Sequence, residues 1–155
     1  MFCPSDFTPY PWMKFALGEH GICEVDGPGR NSNIVAYLAT VGLGDANDET
    51  HWCSAFVNWC MQQAGISGSS HCKARSWLTW SSMCLGTPRY GCVTILWRGS
   101  PTSKQGHVGF YVGSRGNRIL LLGGNQGNAV SIKTYPRDRV LGYRWPASLS
   151  LPPIF

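Results

Sequence analysis

Three residues of this sequence, Cys53, His107 and Asn125, have the types and surroundings for nucleophilic chemistry. After Cys53, the residues Phe56, Val57, Cys60 and Ala64 recur at helical spacing, Ser54, Asn58 and Gln62 take the other side, and Gly65 follows. That spacing puts Cys53 in the first turn of a helix. There, unpaired N–H groups and the positive end of the macrodipole favour the thiolate, the reactive form of a group that otherwise titrates near pH ~8.5. Cys60, two turns on, reads as a small core residue. A cysteine alone would more often be a packed thiol or half of a disulfide; a base changes its meaning. His107 follows Gly106 at the start of a strand, where small neighbours leave room beside the ring. Asn125, in Gly123-Gly124-Asn125-Gln126-Gly127, falls just after the next strand, on the same side of a hairpin-connected sheet. It is the expected partner of the second imidazole nitrogen. The backbone N–H of Cys53 is the expected first oxyanion donor, and the sequence does not name a second.

The other candidates are weaker. Seven cysteines (Cys3, Cys23, Cys53, Cys60, Cys72, Cys84 and Cys92) are an odd number, so six could pair in an oxidising compartment and leave one thiol free. No C-x₂₋₄-C pair occurs, and His51-x-Cys53 and His71-Cys72 lack metal-ligand spacing, so neither a metal nor a cofactor is expected. His51 and His71 read as surface or substrate-edge residues, and His20 is uninformative. Asp45, Asp48 and Glu49 read as structural carboxylates ahead of the helix or as a contact for a substrate amine. Among the tryptophans, which mostly read as core, Trp52 and Trp80 are the candidates for lining a substrate groove.

The elements that must position these groups follow from periodicity. The chain has 155 residues, 43% of them hydrophobic, enough for one domain over residues 1–155. Pro11, Trp12, Phe15 and Ala16 predict a short helix stopped by Gly18. Asn31-Ser32-Asn33 then caps a second helix carrying Ile34, Val35, Leu38 and Val41, closed by Gly42. A further short helix is expected over Lys73 to Trp80. From Gly91 onward, five short β-branched or aromatic runs (92–97, 107–112, 118–122, 130–135 and 140–145) predict an antiparallel sheet. Helices first and strands after predict an α+β fold with the helices on one face of a sheet of five or more strands. Residues 149–155 read as an irregular arm. A net charge of +5 is spread without basic blocks, arguing against nucleic acid. No apolar run is long enough for membrane insertion.

Trp52-Cys53-Ser54-Ala55-Phe56-Val57-Asn58-Trp59, Gly106-His107-Val108-Gly109-Phe110-Tyr111-Val112-Gly113 and Leu122-Gly123-Gly124-Asn125-Gln126 resemble, in order and in element, the three blocks of papain-like peptidoglycan amidohydrolases of the CHAP and NlpC kind. The resemblance covers about Pro11 to Pro146. It implies a papain-like fold with Cys53 as nucleophile, His107 as general base and acid, and Asn125 as the orienting group.

More narrowly, the chain resembles the third family of type VI secretion amidase effectors. That likeness implies cleavage of the D-alanyl to meso-diaminopimelate crosslink and a periplasmic immunity protein as partner; a monomer is the expected state. The start of the sequence shows no export signal, so the expectation is synthesis in the cytoplasm and delivery into the periplasm of target bacteria. Another stem-peptide bond, or the muramoyl-alanine bond cut by endolysins, is the alternative within the class. A disulfide-stapled, non-catalytic wall- or protein-binding module, and a papain-like protease or transglutaminase acting on proteins, are the alternatives outside it.

Overall fold

The computed structural model describes residues 10–46 and 51–151, so Cys3, Asp48, Glu49 and most of the expected C-terminal arm lie outside the described residues. Helix α1 (Trp12–Gly18) starts directly after Pro11 and buries Trp12, Met13 and Ala16. Helix α2 (Ser32–Ala39) is capped as the sequence predicts, the Asn31 side chain accepting a 2.8 Å bond from the Asn33 N–H. It ends one turn early, leaving Val41 in the exit turn with Gly42 at φ 78°. Helix α3 (Cys53–Gln63) begins at the expected residue. The stretch expected to be a helix over Lys73 to Trp80 is a single 3₁₀ turn, Ala74–Leu78, with Ala74 and Trp77 buried.

The sheet has six antiparallel strands: β1 (Ser82–Leu85), β2 (Val93–Trp97), β3 (Gly106–Arg115), β4 (Arg118–Gly123), β5 (Ser131–Pro136) and β6 (Val140–Pro146). Their order is β1-β6-β2-β3-β4-β5, so β6 lies between β1 and β2. The five expected runs are β2 to β6. Strand β1 is new, and its pairing is with β6 alone, Ser82 opposite Pro146 and Leu85 opposite Tyr143. Val108 and Phe110 of β3 face the helices and join the main core with Phe56, Val57, Cys60 and Met61 of α3. Strand alternation turns His107 to the other face, where Leu96, Ile119 and Leu121 form a small second cluster with Tyr135 against it.

The polar side of α3 departs from expectation. Ser54 and Asn58 are buried, and only Gln62 of the three is exposed. Ser54 Oγ donates to the His71 carbonyl (2.6 Å) and accepts from Trp77 Nε1–H (2.9 Å), while Asn58 Oδ1 accepts from the Ser70 N–H (2.8 Å). A helix face that reads as solvated is instead covered by the segment after the helix, which these bonds strap down.

Candidate active site

Cys53 stands at the first position of α3, and Trp52 before it supplies no side-chain cap. Two backbone approaches fix the thiol. Strand β3 brings the Val108 N–H to the sulfur, one residue past His107. The loop after β4 meets α3 at Gly124, where a Cβ would lie 2.7 Å from Phe56 Cβ and 2.7 Å from Trp52 Cζ3. Only glycine lets the two segments come this close.

The loop then turns through Asn125, whose φ of 57° is the left-handed conformation asparagine tolerates best among non-glycine residues. That turn sends the next side chain, Gln126, back beneath the sheet, where it is buried. The Gln126 amide nitrogen donates to the carbonyls of Leu121 (3.1 Å) and Ser131 (2.6 Å), so its Oε1 must face the ring of His107, 2.9 Å from Nε2. An amide oxygen only accepts, so His107 Nε2 carries the proton and Nδ1 keeps its lone pair. Tyr135 of β5 closes this arrangement. Its hydroxyl donates to Gln126 Oε1 (3.0 Å), lies 3.3 Å from His107 Nε2, and its ring tilts against the imidazole at 5.3 Å. Arg139 braces the tyrosine from outside, stacked at 5.6 Å from both the Tyr135 and Trp97 rings and bonded to the Trp97 carbonyl.

Asn125 therefore does not orient His107. Its amide nitrogen donates, at 3.4 Å, to Nδ1 of His51, and so holds an exposed histidine at the mouth of the site with Nε2–H free to donate. The expected partner was one residue off: asparagine is there for its backbone, glutamine for its reach. Trp52 is not a groove residue either. It is fully buried, packed beside Tyr37 and Gly124, with its indole N–H on Glu24 at 2.9 Å. Trp80 does not line the Cys53 cavity but a different one.

Cys53 and His107 open onto two adjoining cavities. The first, about 420 Å³, is lined by Cys53, Cys72, Lys73, Arg98 and Lys104 among others. The second, about 360 Å³, is lined by His107, Gln126, Lys133, Tyr135 and Arg139, and His51 and Arg98 border both. No hydrogen bond joins the thiol to the imidazole. Burial pushes the Cys53 thiol above its ordinary range, against the backbone N–H groups of Val108, Ser54 and Cys53 and the positive charge of Arg98, which pull it down. Burial also lowers His107 to about 4, the bond to Gln126 opposing this and Arg98, Arg139 and Lys133 adding to it. Near neutrality the resting pair is thus a thiol and a neutral imidazole, not the thiolate expected from the helix terminus alone. The helix end contributes, but desolvation outweighs it.

The six described cysteines are all unbridged: Cys53, Cys60 and Cys92 are buried, Cys72 half-buried, Cys23 and Cys84 exposed. The pairing that an oxidising compartment would allow is not made among these six.

Residues 44–125 of the chain match the CHAP domain family. Among solved structures, the chain is similar to a lipoprotein-like protein of the NLP/P60 family from Staphylococcus aureus subsp. aureus Mu50, with a TM-score of 0.52 at 18% identity over 89% of this chain. The match spans 41% of that protein, less than half its length, and the likeness is one of fold: helices packed on an antiparallel sheet in the papain-like, NlpC/P60 manner. No curated protein matches the chain in sequence.

Proposed function

The chain belongs to the CHAP domain family, and from that premise we propose that it hydrolyses an amide bond in the stem peptides of peptidoglycan. The observation that carries the reading is the Gln126 amide, anchored on two carbonyls, which leaves Nδ1 of His107 as the one basic nitrogen of that ring. Nδ1 takes the Cys53 proton as the sulfur attacks the substrate carbonyl. The oxyanion is met by the Cys53 N–H at the helix start and by Nε2–H of His51, which borders both cavities. The imidazolium returns its proton to the leaving amine as the C–N bond breaks, giving a thioester. Water, deprotonated by His107, then attacks the thioester and releases the carboxylic acid and the thiol.

The basic rim supports an acidic peptide substrate. Lys73, Arg98 and Lys104 lie around Cys53, and Lys133 and Arg139 around His107, while stem peptides carry several carboxylates. The resemblance of the catalytic blocks to type VI amidase effectors supports the finer reading: cleavage of the D-alanyl to meso-diaminopimelate crosslink in the periplasm of target bacteria, with an immunity protein covering the groove.

Digestion of purified sacculi, followed by mass analysis of the soluble fragments, tests both levels. New amine and carboxylate ends at the crosslink, lost in Cys53→Ala and in His107→Gln, are expected. Cleavage of another stem bond would overturn the finer reading alone, and intact sacculi, or activity surviving Cys53→Ala, would overturn the hydrolase itself.

A further inference from the structure

A cavity of about 700 Å³, larger than either catalytic one, lies between the loop after α3, the 3₁₀ turn and the residues that follow β6. The catalytic cavities are rimmed by lysine and arginine, whereas this one is lined by no lysine, arginine, aspartate or glutamate. It is lined by the hydroxyl residues Ser67, Ser76, Thr79, Ser81 and Ser148 and by one aromatic plate, Trp80. That plate is fixed in advance. It stands edge to face on buried Trp77 with ring centres 4.8 Å apart, and its indole N–H donates to the Ser67 carbonyl at 2.9 Å. The floor is equally set, Ser76 Oγ donating to the Lys73 carbonyl at 2.6 Å and lying 2.8 Å from Ser69 Oγ, which accepts from the buried Asn58 at 3.2 Å. A second cavity of about 430 Å³ shares Gly65, Ile66, Ser67 and Gly68 and adds Thr40, Asn58, Gln62 and Ser70, so an uncharged polar trough runs on along α3.

An apolar plate among hydroxyls and amides suits a neutral ligand that is apolar on one face and bears donors and acceptors at its edge. Ordering the plate beforehand lowers the cost of binding such a ligand. The trough is also placed for one particular substrate. His71 lines it, while the next residues, Cys72, Lys73 and Ala74, line the Cys53 cavity, so a single strand of backbone separates the two. An uncharged saccharide covalently joined to an acidic peptide matches both sides of that partition.

We propose that the Trp80 trough holds the glycan strand of peptidoglycan, a neutral N-acetylhexosamine oligosaccharide, while the attached stem peptide crosses into the basic Cys53 groove; this rests on the hydrolase reading above. Trp80 takes the face of a sugar ring, and the flanking hydroxyls take its edge. The enzyme thereby favours stem peptides still attached to glycan over free ones.

The test has a binding arm and a kinetic arm. A β-1,4-linked N-acetylglucosamine tetramer, with no peptide, is titrated into the protein and followed by calorimetry. Saturable binding is expected, weakened about tenfold by Trp80→Ala, the loss that truncating a tryptophan anchor ordinarily brings, and equally by Ser148→Trp, which fills the trough from an exposed position. In the kinetic arm, the ratio of kcat/KM for glycan-linked over glycan-free crosslinked peptide should fall about tenfold in both variants. Should Trp80→Ala fail to fold by circular dichroism, Ser148→Trp decides. Absence of tetramer binding, or equal binding by wild type and Ser148→Trp, overturns the glycan site even if sacculi are cleaved. Trp80-dependent binding by a protein that cleaves no sacculi leaves the site standing and removes the hydrolase reading instead.

Discussion

Acidification should weaken this fold through one side chain, His107, and the size of the effect follows from its surroundings. In the folded protein burial holds the ring neutral down to about 4, against 6.5 for the exposed group. Between those values the unfolded chain binds a proton that the folded chain does not, so stability falls as pH drops through 6.5 and flattens below 4. The accumulated loss is about 2 kcal/mol at pH ~5 and about 3 kcal/mol at pH ~4. This is a large share of the 5 to 15 kcal/mol that typically hold a domain together, by order of magnitude about a third. Replacing the residue by glutamine keeps a donor toward Gln126 Oε1 and removes the titration. Urea unfolding of wild type and His107→Gln at pH 7, 5 and 4 isolates the term, because the carboxylates common to both proteins cancel in the difference. The wild type should lose about 3 kcal/mol more than the variant between pH ~7 and ~4. Parallel losses in the two proteins would show that the imidazole is not held neutral by burial, and the tautomer argument built on Gln126 would go with it.

Gln126→Ala should lower kcat about 10- to 100-fold, as loss of an orienting partner does, whereas Asn125→Ala should cost less because it frees His51 and leaves the base fixed; steady-state kinetics on a crosslinked peptide separates them. Gly124→Ala should destabilise by about 1 to 3 kcal/mol, since the new methyl has nowhere to go between Phe56 and Trp52; thermal unfolding reads it. Alkylation of Cys53 by iodoacetamide should accelerate steadily as pH rises past 9, because its thiol titrates above the ordinary range. A rate already flat at pH 6 would mean a preformed thiolate and imidazolium.

Where periodicity is local, the sequence speaks clearly. Helix α3 and the strands from Val93 to Pro146 carry their own spacing, and Cys53 and His107 fall at element starts that sequence alone locates. Strand β1 is silent because Ser82-Met83-Cys84-Leu85 has no β-branched residue, and its existence depends on β6, far along the chain. The burial of Ser54 and Asn58 is hidden for a related reason: polar residues at helical spacing read as a solvated face until a later segment supplies their partners. The exchange of Asn125 for Gln126 is a matter of one residue in a glycine-rich turn. The signal was present, since asparagine between glycines suits a left-handed turn, and the longer amide beside it is then the one that reaches inward. Tyr135 and Arg98 bear no motif, and only the sheet brings them to the site.

Strand β6 is the last of the six to leave the ribosome and the one that joins β1 to the rest of the sheet. Until residues 140–146 emerge, β2 presents a bare edge with Val93, Thr94, Ile95 and Leu96 beside it, and β1 has nothing to pair with. Folding must therefore finish after synthesis of nearly all the described chain, with a late, long-range insertion instead of stepwise zipping. A nascent or truncated chain stopped before Val140 keeps an open, apolar edge that invites self-association. The same wedge makes the sheet hard to unpick locally, because β6 cannot leave without stripping both neighbours of their hydrogen bonds.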